Sequence, residues 1–155
     1  MTTASRGRQR GASTRVLVLL VGLLFVPWAI VFTPGETGLV FPWGLVNPRT
    51  GHVTTITDYL FVHTLGLPDY LLAWPVGVVL YLAALLSALS GVVVGREDRR
   101  LTGGLLLFAG VAELGFVLGT GRPVGVVTLP VGTALLWTIA WWVYADDLRE
   151  VILPS

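Results

Sequence analysis

Cysteine and lysine are both missing from this sequence. Without cysteine there is no disulfide framework, no thiolate metal site and no cysteine nucleophile, and the redox compartment stays open. All ten basic residues are arginine, a bias we read as compositional background rather than mechanism. Charge is scarce as well. Asp, Glu, Lys and Arg make up 12% of the 155 residues, about half the roughly 25% of an ordinary soluble domain. A formal net charge of +1 provides no basic face for nucleic acid. Disorder is excluded too, because 54% of the residues are hydrophobic and disordered chains combine low hydrophobicity with high net charge. What the sequence does have is long apolar runs, and a soluble fold would leave much of that surface facing water. The expectation is an integral membrane protein, with the lipid bilayer as its solvent.

A bilayer core of about 30 Å takes about 17 to 25 helical residues. Four segments qualify, at about 16–32, 71–94, 101–119 and 124–144. Pro27, Pro75 and Pro130 fall inside these runs and are expected to kink the spans rather than end them. The expected fold class is therefore all-α: an integral-membrane four-helix bundle, with residues 1–15 as an Arg-rich cytoplasmic tail and 16–155 as one membrane domain. Arg6, Arg8, Arg10, Arg15, Arg96, Arg99, Arg100 and Arg149 fall on one side of such a bundle, Arg49 and Arg122 on the other. By the positive-inside rule both termini are cytoplasmic. Trp137, Trp141, Trp142 and Tyr144 at one end of the fourth span, and Tyr70 and Trp74 at the outer end of the second, are placed as interface belts. The first span reads as a retained signal anchor. Its apolar run exceeds the roughly 7 to 15 residues of a signal peptide, and no small-x-small cleavage site follows Phe32.

Residues 33–70 form the long extracytoplasmic connection. Thr55 followed by Asp58 resembles a capping box. Ile56, Tyr59, Leu60 and His63 then follow helical spacing, and Gly66 and Pro68 mark a stop. A helix over 56–65, about 15 Å long at 1.5 Å per residue, is too short to span and is expected to lie along the interface. Upstream, Leu39 to Val46 (LVFPWGLV) is interrupted by Pro42 and Gly44. It is expected to be an interface-hugging loop anchored by Phe41 and Trp43, or a shallow re-entrant one. His63 with Asp58 is the extracytoplasmic candidate site, although their spacing puts them on different helix faces. Asp58 and Asp69 both read as helix caps, and His52 is the weaker histidine. No metal motif is present, and no cofactor is expected.

Glu113 is the one acid well inside a span, where a charged carboxylate costs several kcal/mol. It should be protonated, paired, or turned toward a water-filled cavity. Tyr81 and Thr133 lie at similar depth. Pro27 leaves the carbonyl of Leu23 without its helical donor, so a protonated Glu113 is placed to donate to it. Two readings follow: a proton or ion relay, or a neutral carboxyl that fixes helix register. Small residues at Ala83, Ser87, Gly91 and Gly95, and at Gly115 and Gly119, give stripes along which helix backbones can approach closely.

Nucleotide loops, HExxH and the nucleophile elbow are all absent, Ser87 and Ser90 have no histidine nearby in sequence, and no internal repeat is visible. Leu39 to Pro48 (LVFPWGLVNP), Thr57 to Phe61 (TDYLF), Ala73 to Leu85 (AWPVGVVLYLAAL), Glu97 to Leu106 (EDRRLTGGLL), Leu129 to Trp137 (LPVGTALLW) and Trp141 to Tyr144 (WWVY) resemble a family of small uncharacterised membrane proteins from halophilic archaea. The resemblance covers most of the chain from Val16 onward. That family is associated with the genomic neighbourhood of archaeosortase A, a transpeptidase-like membrane enzyme, which implies an accessory role in surface-protein maturation and an archaeosortase-type membrane partner. The chain cannot be the sortase itself, because it has no cysteine. The leading expectation is thus a non-enzymatic accessory or scaffold component of a membrane complex, with its outer segment as the contact surface. A proton- or ion-linked transport component using Glu113, and a lipid-modifying enzyme using His63 and Asp58, are the alternatives.

Overall fold

The computed structural model describes residues 14–62, 66 and 68–152. It is not all-α. A ten-residue helix, α1 (Thr14–Leu23), leads into four strands, β1 (Ala29–Thr33), β2 (Glu36–Phe41), β3 (Gly44–Asn47) and β4 (His52–Thr55). A short helix α2 (Ile56–Phe61) follows, then α3 (Asp69–Val93), α4 (Arg99–Thr120), β5 (Val127–Leu129) and α5 (Val131–Ile152). The strands form one five-stranded antiparallel sheet in the order β4-β3-β2-β1-β5.

The expected first span is therefore half helix and half strand. The last turn of α1 tightens through Leu24 N–H to Val21 C=O (3.1 Å) and Phe25 N–H to Gly22 C=O (3.0 Å), the short-range bonding common at helix ends. Pro27 then removes a donor and biases Val26 away from helix. Two indoles satisfy the freed carbonyls: Trp28 Nε1 donates to Leu23 at 3.1 Å and Trp43 Nε1 to Leu24 at 2.8 Å. Beyond this stop, Ala29–Thr33 is rich in β-branched and aromatic residues, which favour strands. Pro34 and Gly35 (φ +88°) then make the two-residue turn to β2, as a type II turn requires.

The expected fourth span divides in the same way. Val127–Leu129 pairs with β1, and helix begins only after Pro130, which stands at the helix start rather than inside it. Pro27 and Pro130 are thus boundaries, and of the three prolines Pro75 alone lies within a helix. Leu39 to Val46, expected as a loop, is the β2–β3 hairpin turning at Pro42 and Trp43. In the β3–β4 hairpin, Asn47 Oδ1 accepts from Arg49 N–H (3.0 Å) and Thr50 N–H (3.4 Å), an Asx-type turn. The second and third expected spans coincide with α3 and α4 to within two residues at each end. Both helices are long and apolar enough to cross a membrane by length and composition.

Helices α3 and α4 run antiparallel. Gly119 receives Tyr70, Gly77 lies against Ala109 and Ala112, and Ser87 Oγ is 2.7 Å from Thr102 Oγ1. The buried face of α3 is Leu71, Trp74, Gly77, Tyr81, Ala84, Ala88 and Gly91, so small residues serve packing inside the molecule, on a face that shares Gly91 with the expected Ala83 stripe and has Ser87 at its edge. Helix α5 lies along α4, with Tyr144 over Gly103 and Trp137 over Gly110. Val16, Leu20 and Leu23 of α1 join Tyr81, Leu136, Ala140 and Tyr144 in one core cluster. The inner face of the sheet, through Ala29 and Val40, forms a second cluster with Leu71, Trp74, Phe116 and Val117.

The tightest backbone approach in the sheet is at Gly44, where a Cβ would meet the Thr54 carbonyl oxygen at 2.5 Å. Gly44→Ala should therefore cost about 1–3 kcal/mol through overpacking. Gly104→Ala, at a helical position with open space around it, should stabilise by about 0.5–1 kcal/mol. Unfolding of the purified protein by denaturant checks both.

Candidate functional site

The layer that holds the buried acid is built where α3, α4, α5 and the start of the sheet meet. Trp28 is fully buried, with its ring edge-to-face on Tyr81 at 5.0 Å between centroids. Its backbone N–H donates to Val40 C=O, and its own C=O accepts from Gly132 N–H, both at 2.6 Å. A Cβ on Gly132 would lie 2.7 Å from that of Trp28, so glycine is what lets α5 start against this residue.

Glu113 is fully buried on α4, and neither carboxyl oxygen has a hydrogen-bond partner. The expected bond to the Leu23 carbonyl is not made; that carbonyl accepts from the Trp28 indole instead. Tyr81 and Thr133 share the layer but turn elsewhere: the Tyr81 hydroxyl donates to the Leu20 carbonyl, and Thr133 Oγ1 donates to Gly110 C=O at 3.2 Å. The backbone of Glu113 faces Gly77 of α3. One turn before Gly77 on α3, the indole N–H of Trp74 is likewise buried without a partner. Trp74 packs on Tyr59 and Phe116, with centroids 5.8 and 5.7 Å away. Expected as an interface residue, Trp74 is instead core.

The second candidate does not assemble as expected. Asp58 is tied up as a cap: its N–H donates to Thr55 Oγ1 (3.2 Å), and that hydroxyl donates to Asp58 Oδ2 (2.8 Å). His63 lies outside the described residues. His52 is exposed at the far end of β4. Asp69 is the first residue of α3, with Pro68 at the cap position and no side-chain capping bond. Burial, then Tyr70, push the Tyr59 phenol of α2 above its ordinary range, so it stays neutral. Among the described residues no three His, Asp or Glu side chains converge as metal ligands. A shallow concavity of about 360 Å³ opens between the β1–β2 and β3–β4 turns, lined by Phe32, Glu36, Thr37, Pro48 and Arg49.

At the opposite end of the bundle a polar cluster escaped sequence reasoning. Arg99 Nε bonds Asp147 Oδ2 at 3.0 Å, its guanidinium also donates to Val143 C=O at 2.6 Å, and it lies 5.0 Å from the Tyr144 ring centroid. The Tyr144 hydroxyl donates to Glu97 Oε1 at 2.6 Å. The α3–α4 turn and the end of α5 are thereby clamped together. Asp98 caps α4 through Leu101 N–H. No local motif signals this contact, because its members lie more than forty residues apart in sequence.

A buried polar group without a partner costs about 1–3 kcal/mol, so Glu113→Leu, close in size and apolar, should raise stability by roughly that amount. Thr133→Val, which removes the hydroxyl's bond to the Gly110 carbonyl, should lower it by about 1 kcal/mol. Thermal or denaturant unfolding of the two variants side by side checks the assignment. Destabilisation by Glu113→Leu would mean that the carboxyl has a partner.

No curated protein matches the chain. Residues 1–153 match a family described as a domain of unknown function, DUF8050, and the chain belongs to that family.

Proposed function

We propose that this is a multi-pass membrane protein that acts as an accessory or scaffold component of a membrane complex, with α3 and α4 as crossing helices. The distribution of charge supports the orientation. Arg15, Arg96, Arg99, Arg100 and Arg149 gather at the end of the bundle formed by the α3–α4 turn, against Arg49 and Arg122 at the sheet end. The positive-inside rule makes the turn end cytoplasmic and the sheet end outer. The observation that carries the scaffold reading is the end of α2, where Phe61 and Val62 are 78% and 68% exposed beside the outer mouth of the bundle. Large apolar side chains left uncovered at such a position suit contact with another protein. The resemblance to membrane proteins of halophilic archaea supports surface-protein maturation as the process and an archaeosortase-type enzyme as the proposed partner.

A photo-crosslinking residue placed at Phe61 should capture a specific membrane protein in the native envelope, and one placed at Thr50, in the β3–β4 turn, should not. Recovery of the uncrosslinked chain alone from both positions, with normal anchor processing in a deletion strain, contradicts the reading.

One alternative is favoured by a specific observation. The unpartnered Glu113 carboxyl and Trp74 indole N–H suit a proton- or ion-linked transport component with Glu113 as the relay. In proteoliposomes, flux abolished by Glu113→Gln would support it, and flux unchanged by that substitution would remove it. The lipid-modifying alternative is weaker, since Asp58 is committed to the helix cap.

A further inference from the structure

The sheet carries two apolar faces, and the helices cover one of them. The pairing register puts Ala29, Val31, Val40 and Leu45 on the helix side. Ile30, Phe32, Leu39, Phe41, Val53 and Leu129 fall on the other side, where Phe32, Leu129 and Val53 are 40%, 44% and 50% exposed. No charged residue lies on that outward face. Glu36, Arg49 and His52 sit at one end of the strands only, in or beside the turns farthest from Trp28.

The strands also run alongside the helices at a definite level. Trp28 abuts Tyr81, midway along α3; Ala29 and Val40 pack at Trp74 and Phe116; Thr128 Oγ1 reaches Thr120 Oγ1, near the end of α4, at 3.3 Å. Strands of five and six residues span about 17–20 Å at 3.3 Å per residue. Their first residues therefore flank the outer end of α3, from Trp74 to Tyr70, and the far turns reach past it; the 25 residues of α3 extend about 37 Å against a hydrocarbon core of about 30 Å. Helix α1 covers the inner part of that length and stops at Leu23.

From this depth, the lack of charge on the outward face and the confinement of charge to the far turns, we propose that the sheet is embedded in the outer leaflet, its uncovered face against lipid acyl chains near the headgroup boundary. The occupant is lipid, on the same grounds that apply to the exposed Leu72, Val76 and Val79 of α3 at neighbouring levels. The edges fit this depth. Unpaired strand groups are not tolerated in the hydrocarbon core, and here they belong to a three-residue β5 and to β4 (His52–Thr55), whose sequence is mostly polar. Both suit the boundary, where water and headgroups can bond them.

This inference rests on the membrane reading above, and the test separates the two. The chain has no cysteine, so single-cysteine variants need no background substitution. Nitroxide labels at Val53→Cys and Leu129→Cys on the outward face, Thr50→Cys at the far turn and Val79→Cys on α3 would be compared in phosphatidylcholine vesicles. Collision with oxygen, which partitions into lipid, is measured against collision with a water-soluble nickel chelate. The expected result is an oxygen-to-nickel ratio above one at Val53, Leu129 and Val79, and below one at Thr50. Nickel-accessible labels at Val53 and Leu129 with a lipid-exposed Val79 would overturn the inference and leave the membrane reading standing. Labels at Val53 and Leu129 shielded from both reagents would overturn it in favour of a covering protein, including a second copy of this chain. A nickel-accessible Val79 would defeat the membrane reading itself.

Discussion

Four elements depend on Trp28. Its indole N–H ends α1 by bonding the Leu23 carbonyl, and its ring edge packs on Tyr81 of α3. Its backbone N–H bonds Val40 of β2, and its C=O receives Gly132 N–H at the start of α5. A buried helix end with unmet carbonyls is costly, so a chain that stops a helix inside its core needs such a donor at that place. Trp43 supplies the second, to the Leu24 carbonyl. Everything that follows is positioned by this stop: the sheet begins one residue later, directly against the helices that α1 no longer covers.

The helical part of the structure was legible and the sheet was not. Residues 69–93 and 99–120 are mostly apolar over more than five turns, charged only at Asp69, Arg99, Arg100 and Glu113, and apart from glycines and Pro75 little in them competes with helix. The strands were hidden by their own composition. A strand apolar on both faces loses the alternation that identifies strands and reads as a continuous hydrophobic run. Ala29–Thr33 thus merged with α1, and Val127–Leu129 with α5, into two segments of spanning length. The cue available was local: Pro34-Gly35 between two β-rich runs is a hairpin turn, and Asn47 to Gly51 (NPRTG) is another. The helix cap at Thr55 and Asp58 was legible because its partners are three residues apart.

The candidate site followed the same division. That Glu113 stands alone was readable from its position in an apolar run, and it is fully buried. Its neighbours' hydrogen bonds were not readable, since they depend on which carbonyls the stop after α1 leaves open. Tyr81 serves Leu20 and Trp28 serves Leu23, so the groups that seemed available to the carboxyl are used in joining α1 to the bundle. The turn-end clamp of Glu97, Arg99, Tyr144 and Asp147 was missed because it forms across sequence-distant elements, and it turns residues that resembled topology and interface signals into a structural contact.

The central claim is that a five-stranded sheet takes over from α1 beside α3 and α4, closed by the pairing of β1 with β5. Phe32 and Val127 are register partners on the outward face, while Thr128 points to the other side. Paired residues of this kind have Cα atoms about 4.5–5.5 Å apart, inside the range of about 4.4–6.8 Å that a disulfide bridges. In a chain otherwise free of cysteine, Phe32→Cys with Val127→Cys should cross-link intramolecularly on mild oxidation, and Phe32→Cys with Thr128→Cys should not. Failure of the first pair to cross-link, or equal cross-linking of both, would contradict the sheet.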